Sequence, residues 1–167
     1  MKPLWAPWRM DYILDENRRC ASKNDCVFCI TDEPDCDCER LVLYRGLHAF
    51  VMMNRFPYNN GHLLIAPYRH VADLCKLSTE ENHEVFNLIC RSREVLQATM
   101  NPQGMNIGLN LGEAAGAGIA DHLHWHLVPR WQGDTNFMPV LGETRVIPQH
   151  LETTYTLLAE AFARRAE

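Results

Sequence analysis

His122-Leu123-His124-Trp125-His126-Leu127-Val128 alternates imidazoles with apolar residues, and a period of two marks a strand whose successive side chains point to opposite faces. Three imidazoles therefore share one face, while Leu123, Trp125 and Leu127 turn to the other, toward a core. A single histidine on a strand is ordinarily a satisfied or solvent-facing residue. Three within five residues are a different case, because adjacent rings repel when charged and must be managed by metal, hydrogen bonds or substrate anions. Pro129 marks the end of this strand.

Upstream lies a Gly/Ala-rich loop, 112–120, and before it Met105-Asn106-Ile107-Gly108-Leu109-Asn110-Leu111. Its apolar residues alternate strictly with Asn and Gly, which predicts a strand with one buried face and one small, polar face. Ser78 and Glu81 form a capping box ahead of Val85, Leu88, Ile89, Leu96 and Met100, so a long helix begins there. Leu41–Tyr44, His48–Met53 and Gly61–Pro67 read as three further strands, punctuated by Arg45-Gly46 and by Pro57-Tyr58-Asn59-Asn60-Gly61. Downstream, Leu151, Tyr155, Leu158 and Phe162 recur at helical spacing after Pro148, with the proline in the first turn.

The chain has 167 residues, 47% hydrophobic and 22% charged, which suits one domain with a real core. We expect residues 1–25 to be an arm, 26–131 the core and 132–167 an extension ending in a helix. The net charge of -5 argues against a surface that tracks a nucleic-acid backbone. No stretch reads as a signal peptide or a membrane span. Seven cysteines, an odd number without a secretory signal, do not suggest a disulfide framework but a cytoplasmic protein with metal-binding or idle thiols.

Cys26-Val27-Phe28-Cys29 has the two-residue gap that lets both sulfurs reach one tetrahedral zinc, although without a second pair it is equally two ordinary thiols. Cys36-Asp37-Cys38 and Cys20 are competing thiols, and Cys75 and Cys90 read as core or helix residues.

His122 to Arg130 resembles the His-φ-His-φ-His-φ-φ signature of the histidine triad (HIT) superfamily. The resemblance extends to His48-Ala49-Phe50-Val51-Met52-Met53-Asn54 and to Gly61-His62-Leu63-Leu64-Ile65-Ala66-Pro67-Tyr68-Arg69-His70. It implies an α+β, HIT-like fold: an antiparallel sheet of about five strands with the long helix and the C-terminal helix packed on it, commonly as a homodimer. It also implies a covalent nucleotidyl-histidine intermediate at the middle histidine, His124, with His122 and His126 completing the catalytic strand.

The chemistry agrees, since a neutral imidazole is a good nucleophile near neutral pH once a hydrogen bond fixes its tautomer. Phosphoryl charge would be met by His126 and by backbone N–H groups of the 112–118 loop, Gly116 and Gly118 among them, with Asn110 at the loop's entrance. Gly118 stands where much of the family carries a polar residue. Asn54 resembles the position that contacts ribose or phosphate. The zinc-bearing branch implies His70 and His122 as partners of Cys26 and Cys29 in a structural Cys2His2 site.

Leu4-Trp5-Ala6-Pro7-Trp8-Arg9 and Trp131 to Val140 resemble members related to dinucleoside polyphosphate phosphorylases. This implies diadenosine tetraphosphate or a similar substrate, with phosphorolysis favoured over hydrolysis. The alternatives are a dinucleoside polyphosphate or nucleoside phosphoramidate hydrolase, or a zinc-stabilised nucleotide-binding module without turnover. Trp131 and Phe137 could stack on a base or serve in packing.

Overall fold

The apolar runs flanking Arg45-Gly46 form a hairpin of β1 (Val42–Arg45) and β2 (Ala49–Met53) in the computed structural model, which describes residues 26–30, 34–134 and 149–164. With β3 (Leu63–Pro67), β4 (Gly104–Leu109) and β5 (Trp125–Arg130) they make one antiparallel sheet, ordered β1-β2-β3-β5-β4. The described α-helices are a short α1 (Asp37–Arg40), the long α2 (Thr79–Met100) and α3 (Leu151–Arg164). This is the α+β arrangement expected.

Helix α2 starts where the sequence places it. The Ser78 hydroxyl accepts from Glu81 N, and the Glu81 carboxylate accepts from Ser78 N, so two otherwise orphaned donors are satisfied. Arg69 holds the same carboxylate at 2.7 Å. One turn further along α2, at the same end of the sheet, Glu84 accepts from the backbone N–H groups of Leu47, His48 and Ala49, tying the helix to the β1–β2 turn.

Alternation divides the sheet into two faces. Val51, Ile65 and Leu127, one from each of three adjacent strands, join Leu88 and Leu96 of α2 and Leu158 and Phe162 of α3 in one core. Burying each such side chain contributes about 1.5–3 kcal/mol. On the opposite face Phe50, Met52, Leu64 and Ala66 pack with Phe28 and Ile30, so the Cys26–Ile30 knuckle covers the face that also carries the histidines. A bulge between Val42 and Tyr44 shifts the β1–β2 register, and in consequence Val42 serves the knuckle face while Leu43 and Tyr44 serve the helix face.

Four expectations need correction. Strand β5 begins at Trp125, not at His122, and runs through Pro129 to Arg130. Proline is tolerated because Pro129 O faces away from β4, accepting from Asn59 Nδ2 at 3.1 Å; its nitrogen points the same way, beyond the last β3 partner, Leu63 opposite Leu127. Strand β4 does not bury its apolar face: it is a sheet edge, and Ile107 is 48% exposed. Cys75, in a short turn, is exposed rather than packed, whereas Cys90 is a helix residue as expected, on the exposed side of α2. Cys36 is disulfide-bonded, which the odd cysteine count did not suggest. The C-terminal helix begins at Leu151, and Pro148 lies outside the described residues.

Candidate active site and metal centre

The knuckle closes on itself through Cys29 N donating to Cys26 O at 3.0 Å, a turn that gathers both thiols. Cys26 Sγ and Cys29 Sγ lie 3.4 and 3.8 Å from His122 Nδ1, and Cys29 Sγ lies 3.2 Å from His70 Nδ1. All four donor atoms fall within 4.8 Å of one another. Tetrahedral zinc with its usual bond lengths would hold such atoms roughly 3.3–3.8 Å apart, so the set can hold a metal ion. The orientation of His122 fits as well. Its Nε2–H donates to Pro67 O at 2.8 Å, which leaves the Nδ1 lone pair facing the thiols. Burial pushes the His122 pKa down to about 4, and a neutral ring is the ligand form. Cys38 is exposed on α1 and stands apart from this group.

Two residues on, His124 is 6% exposed. Its Nδ1–H donates to the carbonyl of His122 at 2.8 Å, so the lone pair sits on Nε2, which no described residue engages. The ring of Phe28 stacks on it with centroids 4.5 Å apart and planes at 27°. Burial holds the His124 pKa below the ordinary histidine value, opposed by the bond to His122. The result is a neutral imidazole of fixed tautomer, the form a nucleophile requires.

His126 is organised by a residue to which the sequence reading assigned no role. His62 is 1% exposed. Tyr58 N–H donates to His62 Nδ1 at 3.0 Å, so His62 carries its proton on Nε2 and donates it to His126 Nδ1, also at 3.0 Å. His126 must then hold its own proton on Nε2, a buried atom with no acceptor among the described residues. A backbone amide thus sets two tautomers in series and leaves a hydrogen-bond donor beside His124, whose ring centroid is 5.0 Å away. Burial, then the neighbouring His124, push the His126 pKa down to about 4. The signal for His62 was present: stepping back by two from Ala66 through Leu64 reaches His62 on the histidine face.

The remaining candidates are placed less directly. Asn54 follows β2, where its Oδ1 accepts from Phe56 N and its Nδ2 lies 3.3 Å from His62 Nδ1, so it braces the histidine relay. In the loop after β4, Gly112 and Gly116 adopt φ of 77° and 88°, which favours glycine. The N–H groups of Ala115, Gly116 and Ala117 are spent on loop carbonyls, so the Gly116 amide is not a free donor; Gly118 has no such bond to a described backbone carbonyl. A Cβ built at Gly116 would lie 4.0 Å from Asn110 Nδ2, which puts that amide over the loop's inner side. Phe137 lies outside the described residues.

The HIT domain family matches residues 37–133. An "AP-4-A phosphorylase" of Mycobacterium tuberculosis is 40% identical, over 99% of this chain and 86% of that protein. A Zn-bound histidine triad family protein from Mycobacterium smegmatis is 27% identical with a TM-score of 0.65, over 86% of this chain and 98% of that one. A hypothetical histidine triad nucleotide-binding protein from Sulfolobus tokodaii, 19% identical with a TM-score of 0.64 over 83% and 93% of the two chains, shares the fold. With the histidine-bearing strand, the five-stranded sheet and these matches in agreement, the chain belongs to the HIT domain family.

Proposed function

We propose that the protein is a dinucleoside polyphosphate phosphorylase acting on diadenosine tetraphosphate or a close relative. The observation that carries the reading is the His124 Nδ1–H bond to the His122 carbonyl, which leaves Nε2 as a lone-pair nucleophile. Nε2 attacks the phosphorus next to one adenosine, and the bond from that phosphorus to the bridging oxygen breaks. ATP departs, leaving a nucleotidyl-His124 intermediate. Attack by phosphate on the same phosphorus then forms ADP and frees the imidazole. The His126 Nε2–H faces the phosphoryl oxygens and meets the developing charge. Asn110, the backbone of Gly118 and the loop around Gly116 line the phosphate path, and Asn54 acts through His62.

The centre formed by Cys26, Cys29, His70 and His122 binds zinc in a structural role: four protein donors leave no coordination position open. The free thiols of Cys26, Cys29, Cys38, Cys75 and Cys90 favour a reducing compartment such as the cytoplasm, while the disulfide at Cys36 counts against it. The edge of β4, which pairs with no further strand among the described residues and has Ile107 48% and Phe86 65% exposed beside it, is the surface on which a second copy docks to make a homodimer. Among the described residues no helix is long and apolar enough to cross a membrane.

Incubating the protein with diadenosine tetraphosphate, with and without phosphate, and resolving the products by chromatography tests the reading. ADP plus ATP, formed only with phosphate, is expected. AMP plus ATP would make it a hydrolase, and no product a binding module. His124→Ala abolishes turnover while substrate still binds, and elemental analysis gives about one zinc per chain.

A further inference from the structure

We propose that Phe28 is a positioning residue for His124, and that through it the occupancy of the Cys2His2 centre governs the nucleophile's reactivity. The inference rests on the assignment of His124 given above. Phe28 sits between the two thiol ligands, is 2% exposed, and presents its ring to His124 at 4.5 Å and to His122 at 5.4 Å. The hydrogen bond at His124 Nδ1 fixes the direction of one ring edge. It leaves the plane of the ring free to tilt about that bond, and the face of Phe28 removes this freedom. Together they aim Nε2 in one direction.

Both constraints lead back to the metal ligands. The hydrogen-bond acceptor is the carbonyl of His122, itself a ligand, and the stacking ring is carried on the chain between Cys26 and Cys29. The knuckle is not a strand of the sheet; its turn bond, Cys29 N to Cys26 O, is internal. Ligation therefore adds a direct tie between the segment bearing Phe28 and the segment bearing His124, beside the apolar packing of Phe28 and Ile30 on the sheet. With the metal gone, the segment that sets the plane of the imidazole loses its ligand anchor, and the acceptor is left with the bonds of His122 Nε2 to Pro67 O and of Leu123 N to Val71 O. A structural site placed elsewhere on the fold would not have this effect.

The test is made on the full, zinc-loaded chain with ring-labelled histidine. Zinc is withdrawn stepwise with a chelator while the His124 imidazole resonances and the Leu158 methyl resonances of the α3 core are followed by NMR. The His124 signals should move in step with zinc loss while the Leu158 signals stay. Phe28→Leu should keep about one zinc per chain and a KM within about threefold of the unaltered chain. Its rate of nucleotidyl-histidine formation should fall about tenfold to a hundredfold, the scale of a small misplacement of a reacting group, with His124 signals displaced as in the stripped protein. The proposal is overturned if zinc-loaded Phe28→Leu reacts at the unaltered rate, or if stripping leaves the His124 signals in place. It is equally overturned if the Leu158 signals collapse together with zinc loss, the metal then being a prop for the whole fold. Should Phe28→Leu not fold, the chelation arm decides alone. If the unaltered chain forms no nucleotidyl-histidine, the proposed function fails, and the resonances still judge the coupling.

Discussion

His62→Leu tests the tautomer relay most directly. Leucine is apolar and of similar bulk, so the cavity contribution is small, but two 3.0 Å hydrogen bonds around a residue only 1% exposed are lost. Tyr58 N–H and His126 Nδ1 are left without their partner, at about 1–3 kcal/mol each, so unfolding in urea should show a loss of roughly 2–6 kcal/mol. A domain starting from about 5–15 kcal/mol mostly survives that at 25 °C. The catalytic effect is separate. Without the His62 N–H, His126 can hold its proton on Nδ1, where it no longer faces the phosphoryl group. Removal of one preorganised donor typically costs about a hundredfold to a thousandfold in kcat, an upper limit here because one tautomer still donates. Single-turnover cleavage of diadenosine tetraphosphate at saturating substrate reads the chemical step. A folded His62→Leu variant with kcat within about threefold of the unaltered chain would refute the relay, since the tautomer of His126 would then be set by something else.

Other outcomes follow from the same geometry. Glu84→Ala removes the acceptor for three backbone N–H groups in the β1–β2 turn and should destabilise by about 2–3 kcal/mol in urea, with activity per folded molecule unchanged. Acid should weaken the fold through His126, faced by His62, His124 and Tyr58. Its pKa is pushed from 6.5 to about 4, so between these values the unfolded chain binds a proton that the folded chain does not. Stability therefore falls as pH drops through that window and levels below it, by at most about 3 kcal/mol; His126→Gln should flatten that part of the urea-stability profile. Ile107→Glu on the β4 edge should convert a dimer to a monomer by sedimentation, because it puts a charge into an apolar contact.

Most of the architecture was legible because it rests on local patterns. The capping box of Ser78 and Glu81 fixed the start of α2 to the residue, and alternation assigned Leu127 to the core and His126 to the opposite face. The metal donors implied by family resemblance, Cys26, Cys29, His70 and His122, do converge. What escaped depends on neighbours in space. Nothing local says that β4 is an edge, so the exposure of Ile107 could not be read from Met105 to Leu111. Pro129 looked like a terminator because its missing N–H matters only if a strand lies on that side. His62 looked like one more residue of a strand until β3 was paired with β5, which sets Leu64 opposite His126.

The misplaced start of β5 is itself informative. Had the ladder continued from Trp125 back to His122, the carbonyl groups of Pro67 and His122 would have been candidates for strand pairing. Instead the chain leaves the sheet at Ile65 opposite Trp125, and Leu123 N turns to Val71 O. Pro67 O is then available to His122 Nε2, and His122 O to His124 Nδ1. Side chains keep the alternation of a strand while the backbone gives up strand pairing, and the carbonyls released set the tautomers of His122 and His124. Local rules are most often broken where function requires it; here the break in the ladder puts the lone pair of His122 toward the thiols and that of His124 on Nε2, the nitrogen that the proposed mechanism uses.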